Sequence, residues 1–131
     1  MLKNIVAVVA ALAMLSFTSG CATLADAEAA KGTGTSREYA ASMDQVWSAI
    51  PTVLSELHLS LVSQNRAEGT ILAQRGVTPL SYGENVAIFV EPVAGSTRTR
   101  VEIVSKKAMA TNVFAPNWSN EILDQLGEKL R

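Results

Sequence analysis

The sequence predicts an α+β domain in which two helices cover one face of an antiparallel sheet, in the order β-α-β-β-β-β-α. Three observations predict it: an apolar stripe at helical spacing behind a capping signal, alternating segments joined by short turns, and a second apolar stripe near the end of the chain. Each amphipathic helix must bury its stripe, and a sheet with one apolar face can cover both.

The first predicted helix follows a short extended segment at residues 36–40. Ser42 and Gln45 have the spacing of a capping box, in which each side chain bonds the other residue's backbone amide. Behind Ser42, apolar residues recur at steps of three and four and form one stripe: Met43, Val46, Trp47, Ile50, Val53, Leu54 and Leu57. This stripe predicts a helix packed on the sheet.

Four strands are predicted after this helix. Residues 59–63 and 70–74 have alternating polar and apolar side chains or are rich in branched apolar ones, which is typical of strands. The turn at 65–69 joins them as a hairpin. Residues 86–90 and 99–105 form two further predicted strands. Short connections make the neighbours antiparallel, and we expect the sheet to be covered on one side only.

The last predicted helix begins after Asn117, which is a favourable N-cap residue. Apolar residues follow at four-residue steps: Trp118, Ile122, Leu126 and Leu130. We expect Trp47 and Trp118 both to be buried, each fixing one helix on the sheet.

The first 20 residues have the parts of an export signal. Lys3 supplies a positive charge, an apolar run too short to span a bilayer follows, and small residues precede Cys21. The order Ser19-Gly20-Cys21 resembles the lipobox of bacterial lipoproteins. The alternative is an ordinary secretory signal whose small residues happen to include a cysteine.

The resemblance to lipoproteins implies that the signal, residues 1–20, is cleaved before Cys21 and that Cys21 carries acyl chains such as palmitate. Ala22, rather than Asp, follows Cys21. The resemblance therefore implies a lipid anchor in the outer membrane, with the domain on the periplasmic face. We predict that residues 21–35 comprise the lipidated cysteine and a flexible tether, and that residues 36–131 form the single domain.

Composition excludes several classes of function. Without Lys3, ten of the 11 basic side chains remain against 12 acidic ones, so no basic surface for nucleic acid is expected. Cys21 is the only cysteine and His58 the only histidine, and no spacing of a catalytic triad, phosphate loop or metal site occurs. The sequence therefore predicts a protein that is not an enzyme, with no catalytic residue, metal or cofactor.

Two segments are candidates for an interaction surface, residues 75–85 and 106–116. The second contains apolar side chains in a loop, which either fold back as a lid on the core or form an exposed patch for a partner or a lipid headgroup. The candidate residues are Met109, Asn112, Val113, Phe114, Tyr82 and Asn85.

A second resemblance covers residues 36–131. It consists of the helix start Met43-Asp44-Gln45-Val46-Trp47, the turn and strand Glu68-Gly69-Thr70-Ile71, and Trp118 at the start of the last helix. This combination is similar to small single-domain lipoproteins of proteobacteria, and loosely to the helix-grip domains of the third lipoprotein of the outer-membrane barrel assembly machine. The resemblance implies a fold and a binding role, and it transfers no site residues.

Two functions are therefore expected. The first is a lipid-anchored, non-enzymatic domain that binds another envelope protein or supports envelope integrity. The alternative is a binder of a small apolar ligand or lipid in a cleft between sheet and helices. A cavity between Trp47, Phe89 and Trp118 would favour the ligand, whereas a filled core would favour the protein partner.

Overall fold

The computed structural model describes residues 22–76, 83–109 and 117–131. These residues form an α+β fold with an antiparallel sheet, as the sequence predicts. The sheet is 5-stranded, and its strands lie in the order β1-β5-β4-β3-β2. The elements are α1 Leu24–Ala29, β1 Thr35–Tyr39, α2 Met43–Glu56, β2 Ser60–Asn65, β3 Thr70–Arg75, β4 Glu84–Pro92, β5 Thr99–Lys107 and α3 Trp118–Lys129.

The main core lies between one face of the sheet and the two longer helices, α2 and α3. Its fully buried side chains include Val46, Ile50, Val53 and Leu54 of α2, Ile71, Val86, Ile88 and Ile103 of the sheet, and Ile122, Leu123 and Leu126 of α3. These are the residues at helical spacing and the alternate strand residues that the sequence pattern selects. The predicted packing of both helices on one face is confirmed.

Burial of the two tryptophans differs. Trp118 is 3% exposed, as expected, whereas Trp47 is only partly buried at the margin of the core. The guanidinium carbon of Arg66 lies 5.3 Å from the centre of the Trp47 ring, an arrangement that suits a cation–π contact. The prediction that Trp47 is buried is wrong because its ring lies at the edge of the apolar stripe, where a polar turn covers it.

Both predicted helix starts are confirmed. The Gln45 amide donates to Ser42 Oγ at 3.2 Å, and the Ser42 amide donates to Gln45 Oε1 at 2.9 Å. At α3, the Ser119 amide donates to the Asn117 side chain at 3.1 Å. These bonds satisfy amides that the helix itself leaves without partners.

His58 ends α2 in a left-handed conformation, with φ of 60°. Its amide donates to the Ser55 carbonyl at 3.1 Å, and the Leu59 amide donates to the Leu54 carbonyl at 2.8 Å. This pair of bonds is the Schellman motif, in which glycine is the usual residue at the His58 position. The side chain of His58 is exposed, so the role of His58 in the fold is to end the helix.

We expect His58→Gly to raise the free energy of unfolding by about 1 kcal/mol, because the left-handed conformation costs a non-glycine residue roughly this amount. Chemical denaturation measures the change as a higher midpoint with an unchanged slope. The control is Ser55→Gly, one turn earlier at an exposed helical position, which should lower stability. Destabilisation by both variants would contradict the assignment of His58 to a strained helix end.

Tyr39 joins β1 to α3 by donating its hydroxyl to the Leu123 carbonyl at 2.6 Å, within the core. Burial raises the pKa of Tyr39 to about 12 from its ordinary value of 10.0. The unfolded chain therefore loses this proton at a lower pH than the folded chain does. The contribution is fully present below pH 10.0 and is lost as the pH rises through about 12.

We expect Tyr39→Phe to remove this fall in stability above pH 10.0 while costing about 1 kcal/mol at neutral pH, where one hydrogen bond is lost. Denaturation measures the free energy of unfolding of both proteins across this pH range. The difference between the two proteins cancels the titration of the lysines, which they share. Parallel curves for the two proteins up to pH 12 would refute the role assigned to the hydroxyl.

The second face of the sheet is also covered, and this corrects two predictions. Residues 22–35 do not form a flexible tether, since Leu24–Ala29 is a helix that packs on β3, β4 and β5. The sheet is accordingly not bare on this side. The alanine-rich composition of the segment gave no apolar stripe, yet small side chains are what a helix needs to approach a sheet closely.

Candidate functional site

Helix α1 begins at Leu24, three residues after Cys21, with a capping box of its own at Thr23. The Asp26 amide donates to Thr23 Oγ1 at 3.2 Å, and the Thr23 amide donates to Asp26 Oδ2 at 2.6 Å. Together with a bond from the Thr23 hydroxyl, this backbone donation lowers the pKa of Asp26 below its ordinary value. Local hydrogen bonds therefore fix where this six-residue helix starts.

Ala27 attaches α1 to the sheet. It is fully buried in a small cluster with Ala87, Phe89 and Val104, on the face opposite the main core. After the helix, Lys31 places its Nζ 5.3 Å from the centre of the Phe89 ring. This second cluster replaces solvent over the middle of β4 and β5.

Glu102 holds the chain between α1 and β1. Its side chain is 5% exposed, and Oε1 accepts hydrogen bonds from the amides of Gly32 at 2.6 Å and Gly34 at 3.0 Å. A Cβ atom at Gly34 would lie 2.2 Å from the Ile103 carbonyl oxygen, so glycine is required at this close approach. A buried carboxylate with two amide donors makes charge-assisted bonds, which are the strong kind.

Asn85 fixes Ala22, the residue after Cys21. Its Oδ1 accepts from Gln74 Nε2 at 2.8 Å, and its Nδ2 donates to the Ala22 carbonyl at 2.8 Å. The Ala22 amide in turn donates to the Ala108 carbonyl at 3.1 Å. The residue that follows Cys21 is thus bonded on both sides to the end of the sheet where β4 begins and β5 ends.

Removing the Glu102 carboxylate should release residues 22–34 while the sheet stays folded. We expect Glu102→Ala to speed amide exchange at Gly32 and Gly34 roughly tenfold or more, since each bond to the charged group is worth about 1.5–3 kcal/mol. Hydrogen exchange measured by mass spectrometry reports it directly.

Arg100 lies 4.0 Å from Glu102 and 3.6 Å from the more exposed Glu91. The matched control is therefore Glu91→Ala, which removes the other carboxylate beside Arg100. It should leave the exchange of residues 22–34 unchanged. Equal exchange in the parent and Glu102→Ala would mean that Glu102 does not hold this segment.

The structure places two of the six predicted surface residues. Met109 is 39% exposed, as an interaction surface requires. Asn85 is 2% exposed and bonded on both sides, so its assignment to the surface is wrong: a polar residue at the start of an apolar strand serves the packing of the N-terminal segment. The other four lie outside the described residues: Tyr82, Asn112, Val113 and Phe114.

Sequence reasoning predicted strand β2 but missed the exposure of its two apolar side chains. Leu61 and Val62 are 39% and 50% exposed, although alternation predicts that one of two neighbours points inward. The pairing with β3 shifts register between Leu61 and Ser63, and this irregularity leaves both side chains accessible. Two adjacent apolar residues in an otherwise polar strand are the signal that could have identified it.

The two edges of the sheet differ in charge. Strand β1 carries Arg37, bonded to Asp124 at 2.7 Å, and Glu38, 3.4 Å from Arg98. Strand β2 has the sequence SLVSQN, with no charged residue and no proline. Charges protect an edge strand from pairing with another chain, so β2 is the unprotected edge.

A cleft for an apolar ligand is not favoured. Phe89 lies on the face of the sheet opposite Trp118, so these rings and Trp47 do not line one cavity. A groove of about 430 Å³ runs along β5, but its lining is mostly polar: Thr33, Thr35, Ser105, Lys106, Lys107, Asn117 and Ser119.

Two further observations apply to the residues that the structure describes. Within residues 22–76, 83–109 and 117–131, no group of three or more His, Cys, Asp or Glu side chains could hold a metal ion. In the same ranges, no helix is long and apolar enough to cross a membrane. Comparison with known proteins finds no family model and no curated relative that matches this chain.

Proposed function

We propose that this chain is a lipid-anchored protein of the bacterial outer membrane whose small periplasmic domain is not an enzyme and binds another envelope protein, in support of envelope integrity. Cys21 carries the acyl chains, and several chains on one cysteine give stable membrane attachment. The domain supplies the surface for the partner.

The observation that carries the proposal is the attachment of Ala22 to the sheet. Ala22 is hydrogen-bonded into the sheet, one residue after the Cys21 of the lipobox-like sequence. Cleavage before Cys21 would leave these bonds in place, with the lipid-bearing residue next to Ala22 in the chain. Among the described residues, apolar side chains of α2, α3 and the sheet pack together as one core, which supports a surface role over a ligand cleft.

Strand β2 is the surface best suited to a protein partner. Among the described strands it pairs only with β3, so its outer, uncharged edge can accept another strand, and Leu61 and Val62 are exposed there. An extended segment of another protein can add to such an edge by backbone pairing, with apolar side chains giving specificity. We therefore assign the partner's contact to β2.

Site-specific photocrosslinking in the cell tests this assignment. A photoreactive residue at Val62 should give a discrete adduct with another envelope protein, whereas one at Ser36, exposed on the charged edge β1, should not. In a second variant, Leu61→Lys with a photoreactive residue at 62 should lose the adduct and remain folded, since Leu61 is already 39% exposed. Adducts at both edges, or at neither, would contradict the assignment to β2.

A further inference from the structure

One end of the sheet is hydrogen-bonded to Ala22, the residue after Cys21. The Ala22 amide donates to the Ala108 carbonyl at 3.1 Å, and the Ala108 amide donates to the Gly83 carbonyl at 3.0 Å. At the same end of the sheet, Arg75 of β3 pairs with Glu84 of β4, and Glu84 pairs with Lys107 of β5. We call this part of the molecule the anchor end: Ala22, Arg75, Gly83 and residues 106–109.

The distance from Cys21 to the anchor end is set by covalent geometry. Consecutive Cα atoms are about 3.8 Å apart, so this is the distance between the Cα atoms of Cys21 and Ala22. With residues 22–34 packed on the sheet, no slack remains between lipid and domain. Acyl chains buried in a bilayer must therefore bring the anchor end to the headgroups.

The side chains of the anchor end suit a phosphate-bearing surface. Arg75, Lys106 and Lys107 supply three cations, and Met109 adds an exposed apolar side chain. Of the nearby carboxylates, Glu84 is 1% exposed, whereas Asp26 is exposed, stays ionised through the hydrogen bonds of its capping box, and offsets part of the charge of Lys106. Each cation close to an anionic membrane surface contributes about 1 kcal/mol.

We propose that the anchor end is a membrane-contacting surface, and that residues 22–34 act as a rigid strut that stands the sheet on the bilayer with its strands pointing away from the membrane. This inference rests on the proposed lipidation of Cys21. Strand β5 has nine residues, so the turn at the far end of the sheet lies roughly 30 Å further from the headgroups.

Fluorescence quenching on vesicles tests the orientation. The full lipidated chain, with a fluorophore on Met109→Cys or on Ala94→Cys in the distant β4–β5 turn, is placed in vesicles of phosphatidylethanolamine with a minor fraction of phosphatidylglycerol. A spin label on the headgroups is the quencher. We expect quenching at position 109 to be several-fold stronger than at position 94. Equal quenching at the two positions would overturn the proposal.

Two variants make the test specific. A Gly/Ser insertion between Cys21 and Ala22 keeps the lipid and the packing of the strut, and it should reduce the difference between the two positions because a flexible chain now separates domain and bilayer. Lys106→Gln with Lys107→Gln should weaken quenching at position 109. If the insertion leaves the difference between positions 109 and 94 unchanged, the rigid strut is contradicted. If the double lysine variant leaves quenching at position 109 unchanged, the headgroup contact is contradicted.

Failure of the proposed function gives a different result. If Cys21 carries no lipid, the chain does not float with the vesicles at all. A chain that floats but shows equal quenching at both positions keeps its lipid anchor and lacks the proposed orientation.

Discussion

The variant Cys21→Ser is expected to lose all lipid attachment, so that the chain stays unprocessed or leaves the membrane fraction. The reason is chemical: acyl transfer to a lipoprotein requires the cysteine thiol, and this chain has 1 cysteine. Labelling of growing cells with a palmitate analogue, followed by purification of the protein, measures the loss directly.

A matched control separates the position from the thiol. Ser36→Cys in the Cys21→Ser background restores a cysteine at an exposed site within the domain. It should remain without label, since only the residue behind the signal is processed. Equal labelling of the parent and Cys21→Ser would refute the lipid anchor.

The largest effect on folding is expected from Trp118→Ala, at about 3–5 kcal/mol lost from the free energy of unfolding. Trp118 is 3% exposed at the start of α3, and the Arg75 guanidinium carbon lies 5.0 Å from the centre of its ring. Such a loss is a large share of the stability of a small domain. Thermal or chemical denaturation measures it.

The control for this prediction is Trp47→Ala. Trp47 is the same residue type on the same face of the sheet, but it is only partly buried. Its truncation should cost clearly less than that of Trp118. If the two variants melt together, or if Trp118→Ala melts like the parent, the packing of α3 differs from the one described.

Most of the fold could be predicted because its signals are local. The capping box at Ser42, the N-cap at Asn117 and the turn before Thr70 each depend on a few neighbouring residues. Side-chain alternation then identifies the residues that face the helices. The exposed Val62 escaped prediction because a register shift depends on how two strands pair, which a single strand does not encode.

The strut escaped prediction for a different reason. A helix of six residues is too short to be stable alone, and α1 is held by contacts from far along the chain. Glu102, 70 residues after Gly32, binds the segment, and Asn85, 63 residues after Ala22, fixes its start. The composition of the segment suggested a tether. Its partners could not be recognised because polar side chains in a strand are normally expected to face solvent.

Intact mass spectrometry of the protein purified from host membranes tests the central claim most directly. The account predicts a chain that begins at Cys21, with an added mass equal to a diacylglyceryl group and one further acyl chain, and with nothing attached elsewhere. A chain that begins at another residue, or one that begins at Cys21 with a free thiol, would contradict the lipid anchor and the membrane-contacting surface inferred from it.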